Sequence, residues 1–576
     1  PGQYGSDTLL MQPPFNATLF TGADFYEYNT ALSAPPVSAM EDKGVSAELN
    51  WQLDQSWQLT SITGVRSFHS LDELDTDFTN ADLLTTRNDA SQNAFSQELR
   101  LHYTTHALNA LAGLYFYRQS LDLDFAITTQ GDFPAFFATQ TAPLQPLLDA
   151  ITGLSQTTGG LIAPVGAATP ANTEFAHSAY QEQQSVAAFT HLNWRFSQNW
   201  ELAAGLRYTR EDKTLTGRFD EQGPGINGLP QSPDNWPDPA AAGAALPQIF
   251  GALAKGQLPS DNALAAIHPF QQAGWGYFFL GTASVLPRPA LNAEFDDSQL
   301  TGSLKLSWIP GSDTLMYASV STGYKSGGTN TDRISPAFNP VFGPEKARAF
   351  ELGIKKDWPA QNLRVNLAAH TTRIEDFQAS TFTGTGFNLQ NAGAITTKGI
   401  EAEIFWSALD TTRVRLAAAR TLASFDSFTR GTCWLATPWH TGTDDPGRRA
   451  HENPYCDRSG DSVGFTPQNT LSVRLEQDVM IGGLDSQLSA DIQYTGDIML
   501  DDTNDPLKYS PAYTVVNMQW RWLWPEWESS VTLWGRNIFD EQFAAMSGFD
   551  VPVQTGKIMA YPGQPATWGV SLEKQF

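Results

Sequence analysis

Apolar and polar residues alternate strictly over long segments, and this pattern recurs along most of the chain. In "VSAELNWQL", Val45, Ala47, Leu49, Trp51 and Leu53 alternate with Ser46, Glu48, Asn50 and Gln52. In "FSQELRLHY", Phe95, Leu99, Leu101 and Tyr103 oppose Ser96, Glu98, Arg100 and His102. "LTGSLKLSW" sets Leu300, Leu304, Leu306 and Trp308 against Thr301, Ser303, Lys305 and Ser307, and "KGIEAEIFW" sets Ile400, Ala402, Ile404 and Trp406 against Glu401 and Glu403. A period of two is that of a β-strand, whose successive side chains point to opposite faces. Each segment is therefore a strand with one greasy and one polar face. The densest case is "NMQWRWLWPEW", where Met518, Trp520, Trp522 and Trp524 share one face and Gln519 and Arg521 the other.

About seventeen such strands can be placed, near 45–53, 57–67, 94–103, 109–119, 184–196, 200–210, 297–308, 314–325, 346–358, 362–376, 391–406, 412–425, 469–478, 487–497, 513–524, 528–538 and 566–576. Their connections alternate between tight turns ("DQS", "SQN", "PGSD", "PE") and long excursions such as 120–183, 211–296 and 426–468. Sorting short turns to one end and long loops to the other is the habit of transmembrane β-barrels, with periplasmic turns and extracellular loops. The fold predicted is all-β, a transmembrane antiparallel barrel. The greasy faces then meet lipid, and tryptophans gather at the headgroup levels. On this count Trp308, Trp406, Trp522 and Trp524 belong to an aromatic girdle at the short-turn rim, and Tyr324 to the opposite one.

Composition agrees. The chain has 576 residues, more than one ordinary soluble core sustains. A net charge of −26 leaves no basic stripe for nucleic acid. No apolar run is long enough for a helical membrane span. There is no H-E-x-x-H or phosphate-cradling loop, and the nine histidines are scattered, so neither an enzyme nor a metal site is predicted. The two cysteines, Cys433 and Cys456, fit a disulfide closing an outer loop better than a zinc pair.

Strand parity adds an expectation. The last strand follows a long loop and runs toward the periplasm, so the strand at 45–53 also runs downward and starts outside. Both ends of such a barrel belong in the periplasm. Residues 1–44 read as an extracellular loop remnant, residues 45–576 as barrel, and an upstream part is expected.

In order along the chain, "FSQELRL" (95–101), "AGLYFY" (112–117), "STGYKSGG" (321–328), "FELGIKKD" (350–357), "NAGAITTKGIEAEIFW" (391–406), "CDRSGDSVGFTPQNT" (456–470), "WGRNIFDEQF" (534–543) and the terminal Phe576 resemble TonB-dependent outer-membrane receptors. The resemblance implies a 22-stranded barrel filled by an N-terminal plug, which follows a box gripped by TonB. Neither plug nor TonB box is present in this sequence. It further implies an integral outer-membrane protein of a Gram-negative bacterium, in contact with outer-membrane lipid and lipopolysaccharide. Such a receptor imports a scarce, bulky small molecule, most commonly a ferric siderophore, and has no cofactor of its own.

Cargo recognition would lie in the outer loops and upper lumen. Within the Cys433–Cys456 loop, Trp434, Trp439, His440, Arg448, Arg449 and His451 mix aromatic surfaces with cations, a set suited to an anionic aromatic chelate; a plain solvated loop is the competing reading. Trp275 and Tyr277 of "AGWGYFFLG" could cover the mouth or pack a helix in their loop, and Lys325 is a further inward candidate. Asp72, Glu73, Asp75 and Asp77 form an acidic patch without the order of a calcium loop. Two rival functions remain: a passive porin or surface adhesin, and a secreted soluble β-rich carbohydrate-active protein.

Overall fold

The computed structural model describes residues 9–18, 20, 22–222, 237–279, 288–332, 334, 339–382, 387–431, 433–434, 456–550 and 558–574. Its frame is one antiparallel sheet of 17 strands. The first eight are β1 (Val37–Gln52), β2 (Trp57–Asp75), β3 (Leu84–Thr104), β4 (Leu108–Thr129), β5 (Glu174–Ser197), β6 (Trp200–Gln222), β7 (Arg288–Gly311) and β8 (Thr314–Lys325). Then come β9 (Glu345–Trp358), β10 (Leu363–Glu375), β11 (Ala394–Leu409), β12 (Thr412–Ser427), β13 (Asn469–Ile481), β14 (Leu484–Thr495), β15 (Tyr513–Trp524), β16 (Ser529–Arg536) and β17 (Thr567–Lys574). Each strand pairs with the next in a continuous meander. Among the described residues β1 pairs only with β2, and β17 only with β16. No helix among the described residues is long and apolar enough to cross a membrane, which says nothing about crossing by strands.

All seventeen expected strands are present, and short and long connections alternate without exception. The strands at the N-terminal side are longer than expected: β4 to β7 run 22 to 24 residues, whereas about 9–11 tilted residues cross a bilayer. The surplus has a physical reason in a reversal of amphipathicity midway up each strand. In the lower half of β6 the apolar residues Leu202, Leu206 and Tyr208 occupy even positions, facing out with Leu306, Gly302 and Leu300 of β7. In its upper half the apolar residues Leu215 and Phe219 occupy odd positions and are buried, while Thr214, Thr216 and Arg218 take the outer face. β5 repeats this with Val186 and Trp194 outward below, and Phe175 and Ala179 buried above. The lower half is built to face lipid and the upper half to enclose a packed interior.

Leu215, Phe219 and Ala179 pack with Leu123 and Ile334, while Phe175 meets a cap of four helices drawn from two loops: α1 (Phe133–Gln140), α2 (Gln145–Thr157), α3 (Pro239–Ala254) and α4 (Asp261–Gln271). Asp238 accepts hydrogen bonds from the Ala240 and Ala241 amides, and Ser260 accepts one from Ala263, satisfying orphan donors at the starts of α3 and α4. Leu148, Ile151 and Leu154 of α2 pack on Ala242, Ala245 and Ile249 of α3 and on Ile267 and Phe270 of α4. A neighbouring cluster joins Phe133, Phe136 and Phe137 of α1 to Leu10 and Phe15, so the segment before β1 is tied into the cap.

Candidate functional site

The inner face of β6 carries a column of cations stacked on aromatic rings. Positions 207, 213 and 219 share this face by the period of two, so one strand aligns three levels from mid-wall to cap. At the lowest level the Arg207 guanidinium carbon lies 5.4 Å from the ring centres of both Tyr115 and Phe189. Its Nε donates to Thr209 Oγ1 at 3.1 Å. Tyr115 stacks on Tyr117, with centroids 6.4 Å apart and planes 9° from parallel. The arrangement depends on Gly113, directly opposite Phe189 on β5: a Cβ there would fall 2.3 Å from the Phe189 ring, so only glycine lets the ring lie across the strand and meet Arg207.

At the middle level Lys213 Nζ donates to Ser326 Oγ (2.8 Å) and to the Gly327 carbonyl (2.7 Å), and stands 5.8 Å from the Phe295 ring. Glu211, between Thr209 and Lys213 on the same face, keeps one buried carboxylate oxygen without a hydrogen-bond partner. At the top the Arg288 guanidinium lies 3.8 Å from the Phe219 ring and donates to the Ile334 carbonyl. Burial lowers its pKa to about 10, leaving it charged at neutral pH. Each cation is held against a ring face by the ring's quadrupole.

The rest of the inner face is largely self-neutralised. Arg474 bonds Glu476 at 2.7 Å and Asp491 at 3.2 Å, and Arg413 bonds Asp478 at 2.7 Å and Glu476 at 3.2 Å. Lys305 stands 5.9 Å from the Tyr317 ring, whose hydroxyl donates to Glu351 at 2.6 Å. Glu403 accepts from Asn366 at 3.0 Å, and Glu401 lies 4.0 Å from His370.

Several residues named from sequence sit elsewhere than expected. Trp275 and Tyr277 are fully buried in the cap, where they pack its helices. Trp275 Nε1 donates to the Gly166 carbonyl at 3.0 Å, and Tyr277 packs edge-on against Phe175 with centroids 4.8 Å apart. Tyr324 is not on the outer face either: its hydroxyl bonds Thr209, near Arg207, Glu211 and Asp297. Period-two counting fails there because the β7–β8 pairing stops at Ser303–Ser321, and above it β8 continues beside β9 alone. Lys325 is exposed at the end of β8, opposite Glu345. Cys433 and Cys456 are joined in a disulfide, with Trp434 buried beside it. Trp439, His440, Arg448, Arg449, His451 and Phe576 lie outside the described residues.

On the outer wall Trp308 and Trp406 are exposed near the short turns, and Trp520 stacks on Trp522 at 4.5 Å. Trp524 pairs with Ser529 at the foot of β15. Exposed Trp51, Trp57, Trp194, Trp200, Trp358 and Trp527 lie at the same rim. Sequence reading missed these, although each flanks a tight turn. The Arg207 column was missed because its cations and rings come from different strands and meet only through the sheet register.

An antiparallel meander with a lipid-type outer band, a polar inner face and loops sorted by length is the wall of a transmembrane β-barrel. A family model, TonB dependent receptor-like, beta-barrel, matches residues 2–538, and the chain belongs to that family of outer-membrane receptors. No curated protein matches it by sequence. Among solved structures it is similar to the ferric yersiniabactin uptake receptor FyuA from Yersinia pestis, at TM-score 0.62 and 14% identity, covering 94% of this chain and 61% of that one. It is also similar to the siderophore receptor PiuA from Acinetobacter baumannii (TM-score 0.59, 13% identity, 93% and 64% coverage). The ferric citrate transporter FecA in its unliganded form gives TM-score 0.55 and 13% identity, with 93% and 62% coverage. The chain therefore spans a little over three-fifths of the length of these receptors, and the likeness is one of fold.

Proposed function

We propose that this chain forms the barrel wall of an active import receptor for an anionic, aromatic metal chelate, most simply a ferric siderophore. The observation that carries the reading is the cation–aromatic column made by Arg207 and Lys213 on the inner face of β6 and by Arg288 of β7 over the β6 residue Phe219. A chain with 61 acidic and 35 basic residues has aligned three cations, each backed by a ring, between mid-wall and cap. Ring faces offer stacking to a catecholate-type ligand while the guanidinium and ammonium groups meet its oxygen anions. The names of FyuA, PiuA and FecA, a ferric yersiniabactin, a siderophore and a ferric citrate protein, support the same class of cargo. Energy coupling through TonB, a plug within the lumen and an aromatic girdle of Trp308, Trp406, Trp522 and Trp524 belong to this reading. The outer loop closed by Cys433 and Cys456, with Trp434, Trp439, His440, Arg448, Arg449 and His451, is proposed as a further cargo contact.

The test uses the full-length receptor in detergent and a panel of ferric catecholate, hydroxamate and citrate complexes. Lys213→Ala and Arg207→Ala should each weaken binding of the recognised chelate about 10-fold, the order expected for a partly desolvated cation contact. Unchanged affinity in well-folded variants would overturn the reading. A steady open conductance of the full-length protein in planar bilayers would favour a passive porin instead.

A further inference from the structure

The two upper cations of the column are already engaged, and the groups that engage them come from the chain itself. The pairing of β7 with β8 ends at Ser303–Ser321, and above it β7 runs on to Arg288 paired with β6 alone. At this fork the Thr322 hydroxyl stands in for the lost ladder, accepting from the Gly302 amide at 3.0 Å. The chain leaving β8 then turns inward across the inner face of β5 to β7. Lys213 donates to the Ser326 hydroxyl and the Gly327 carbonyl, and Gln181 Nε2 donates to Thr329 Oγ1 at 2.7 Å. Arg288 donates to the Ile334 carbonyl, and Ile334 is buried with Leu123, Ala179, Leu215 and Phe219.

The seat is close-fitting but polar. Residues 327–330 are buried, and Gly328–Thr329 pairs antiparallel with Val341–Phe342. A Cβ at position 327 would fall 2.5 Å from the Phe342 carbonyl oxygen and 2.7 Å from both the Gly343 carbonyl carbon and the Phe295 ring, so this close approach to the wall requires glycine. From the other side Gln378 Nε2 donates to the Ser326 carbonyl at 2.8 Å and to the Gly343 carbonyl at 3.0 Å. The run 326–330 reads Ser-Gly-Gly-Thr-Asn and has no large apolar side chain to bury. Hydrogen bonds hold it, and each is a small net term because water offers the same groups replacements.

Neutral oxygens compete poorly for a cation. An ammonium bonds an ionised carboxylate, catecholate or hydroxamate oxygen more strongly than a carbonyl or hydroxyl, since full charges attract. We infer that residues 326–330 are an internal stand-in for the cargo: the Ser326 hydroxyl and the Gly327 carbonyl occupy Lys213 until an anionic chelate takes that cation and frees the run from the wall. The inference rests on the column being the cargo site, and it adds a consequence for affinity. Every contact that seats the run opposes cargo, so the apparent affinity is the intrinsic one reduced by the fraction of receptor in which the run is released.

The test uses the full-length receptor in detergent and whichever ferric complex of the catecholate, hydroxamate and citrate panel it binds best. Gly327→Ala, which unseats the run, and Gln378→Leu, which removes its second hold, should each bind that complex about 5-fold tighter, the effect of losing one hydrogen bond from the competing state. A segment that only braced the wall would give unchanged or weaker binding. In wild type, saturating complex should speed amide exchange at 326–330 about 5-fold, the same order, whereas ordering around the cargo would slow it. If Gly327→Ala does not assemble, judged by heat-modifiable mobility on gels, Gln378→Leu and the wild-type exchange decide. Arg207→Ala separates the two readings, because Arg207 stands a level below the run. Weaker binding by Arg207→Ala with no gain in either Gly327→Ala or Gln378→Leu, or with exchange at 326–330 unchanged or slowed, would overturn the stand-in and leave the cargo site standing. Unchanged affinity in Arg207→Ala would remove the cargo site and the stand-in with it.

Discussion

Asp77 shows how one side chain registers its surroundings. It sits in the outer loop between β2 and β3, where its carboxylate accepts from Thr79 N at 3.1 Å, Thr79 Oγ1 at 2.6 Å and Leu84 N at 2.9 Å. Burial outweighs these bonds and, with the charge of nearby Asp75, raises its pKa to about 7. Between the unfolded carboxylate value of about 4 and this value, the folded state holds more protons than the unfolded one, so stability falls as pH rises across that window. Melting curves should show Asp77→Asn flattening this dependence, with the variant gaining on wild type at pH 8 and losing that advantage at pH 4. At the short-turn rim Trp308→Ala should lower barrel stability, read from heat-modifiable mobility on gels, while leaving chelate affinity unchanged. A loss of affinity there would remove Trp308 from the girdle. The residue types were legible in sequence, but their surroundings were not. The acidic stretch containing Asp77 reads as a solvated patch because nothing local says that the segment before β1 covers it.

At the scale of single strands, the reversal of amphipathicity separates two kinds of substitution. Leu304→Lys, on the lower outer face, should cost about 2–4 kcal/mol if it sits near the bilayer midplane. Thr214→Lys, on the outer face of the upper half, should cost almost nothing. Refolding titrations into lipid vesicles would compare them, and equal costs would mean that the band boundary is misplaced. Gly113→Val should push Phe189 off the strand, loosen Arg207 and weaken chelate binding without touching the cargo directly. The Arg207→Ala, Gly113→Val double variant should then be no weaker than Arg207→Ala alone. The seventeen strands were readable because lipid demands a long, unbroken apolar face. Their upper extensions were not, because there the apolar residues change to the inner face and the polar ones no longer signal a lumen.

At the scale of the molecule, the sheet and the cap are held by different forces. The sheet rests on backbone pairing that runs from β1 to β17, whereas the cap rests on the burial of α1 to α4 against one another and the upper strands. Trp275→Ala, which empties the middle of the cap, should cost about 3–5 kcal/mol locally. Hydrogen exchange should show 145–157 and 239–271 losing protection together while the lower strands keep theirs. Coupled loss in β6 and β7 would mean that the cap also supports the wall.

The sequence by itself determined the strand count, the direction of alternation, the sorting of turns and the class of protein, since period-two patterning, turn residues and aromatic placement are local and lipid enforces them at every strand. Only the tertiary structure decided what gathers on each face. Arg207 meets Tyr115 and Phe189 because β4, β5 and β6 are neighbours in the sheet, and Phe189 lies across Gly113 because of the β4–β5 register. Trp275 and Tyr277 became core because two loops distant in the chain fold onto one another. Contacts across strands depend on register and on loop packing, and neither is written in any one segment.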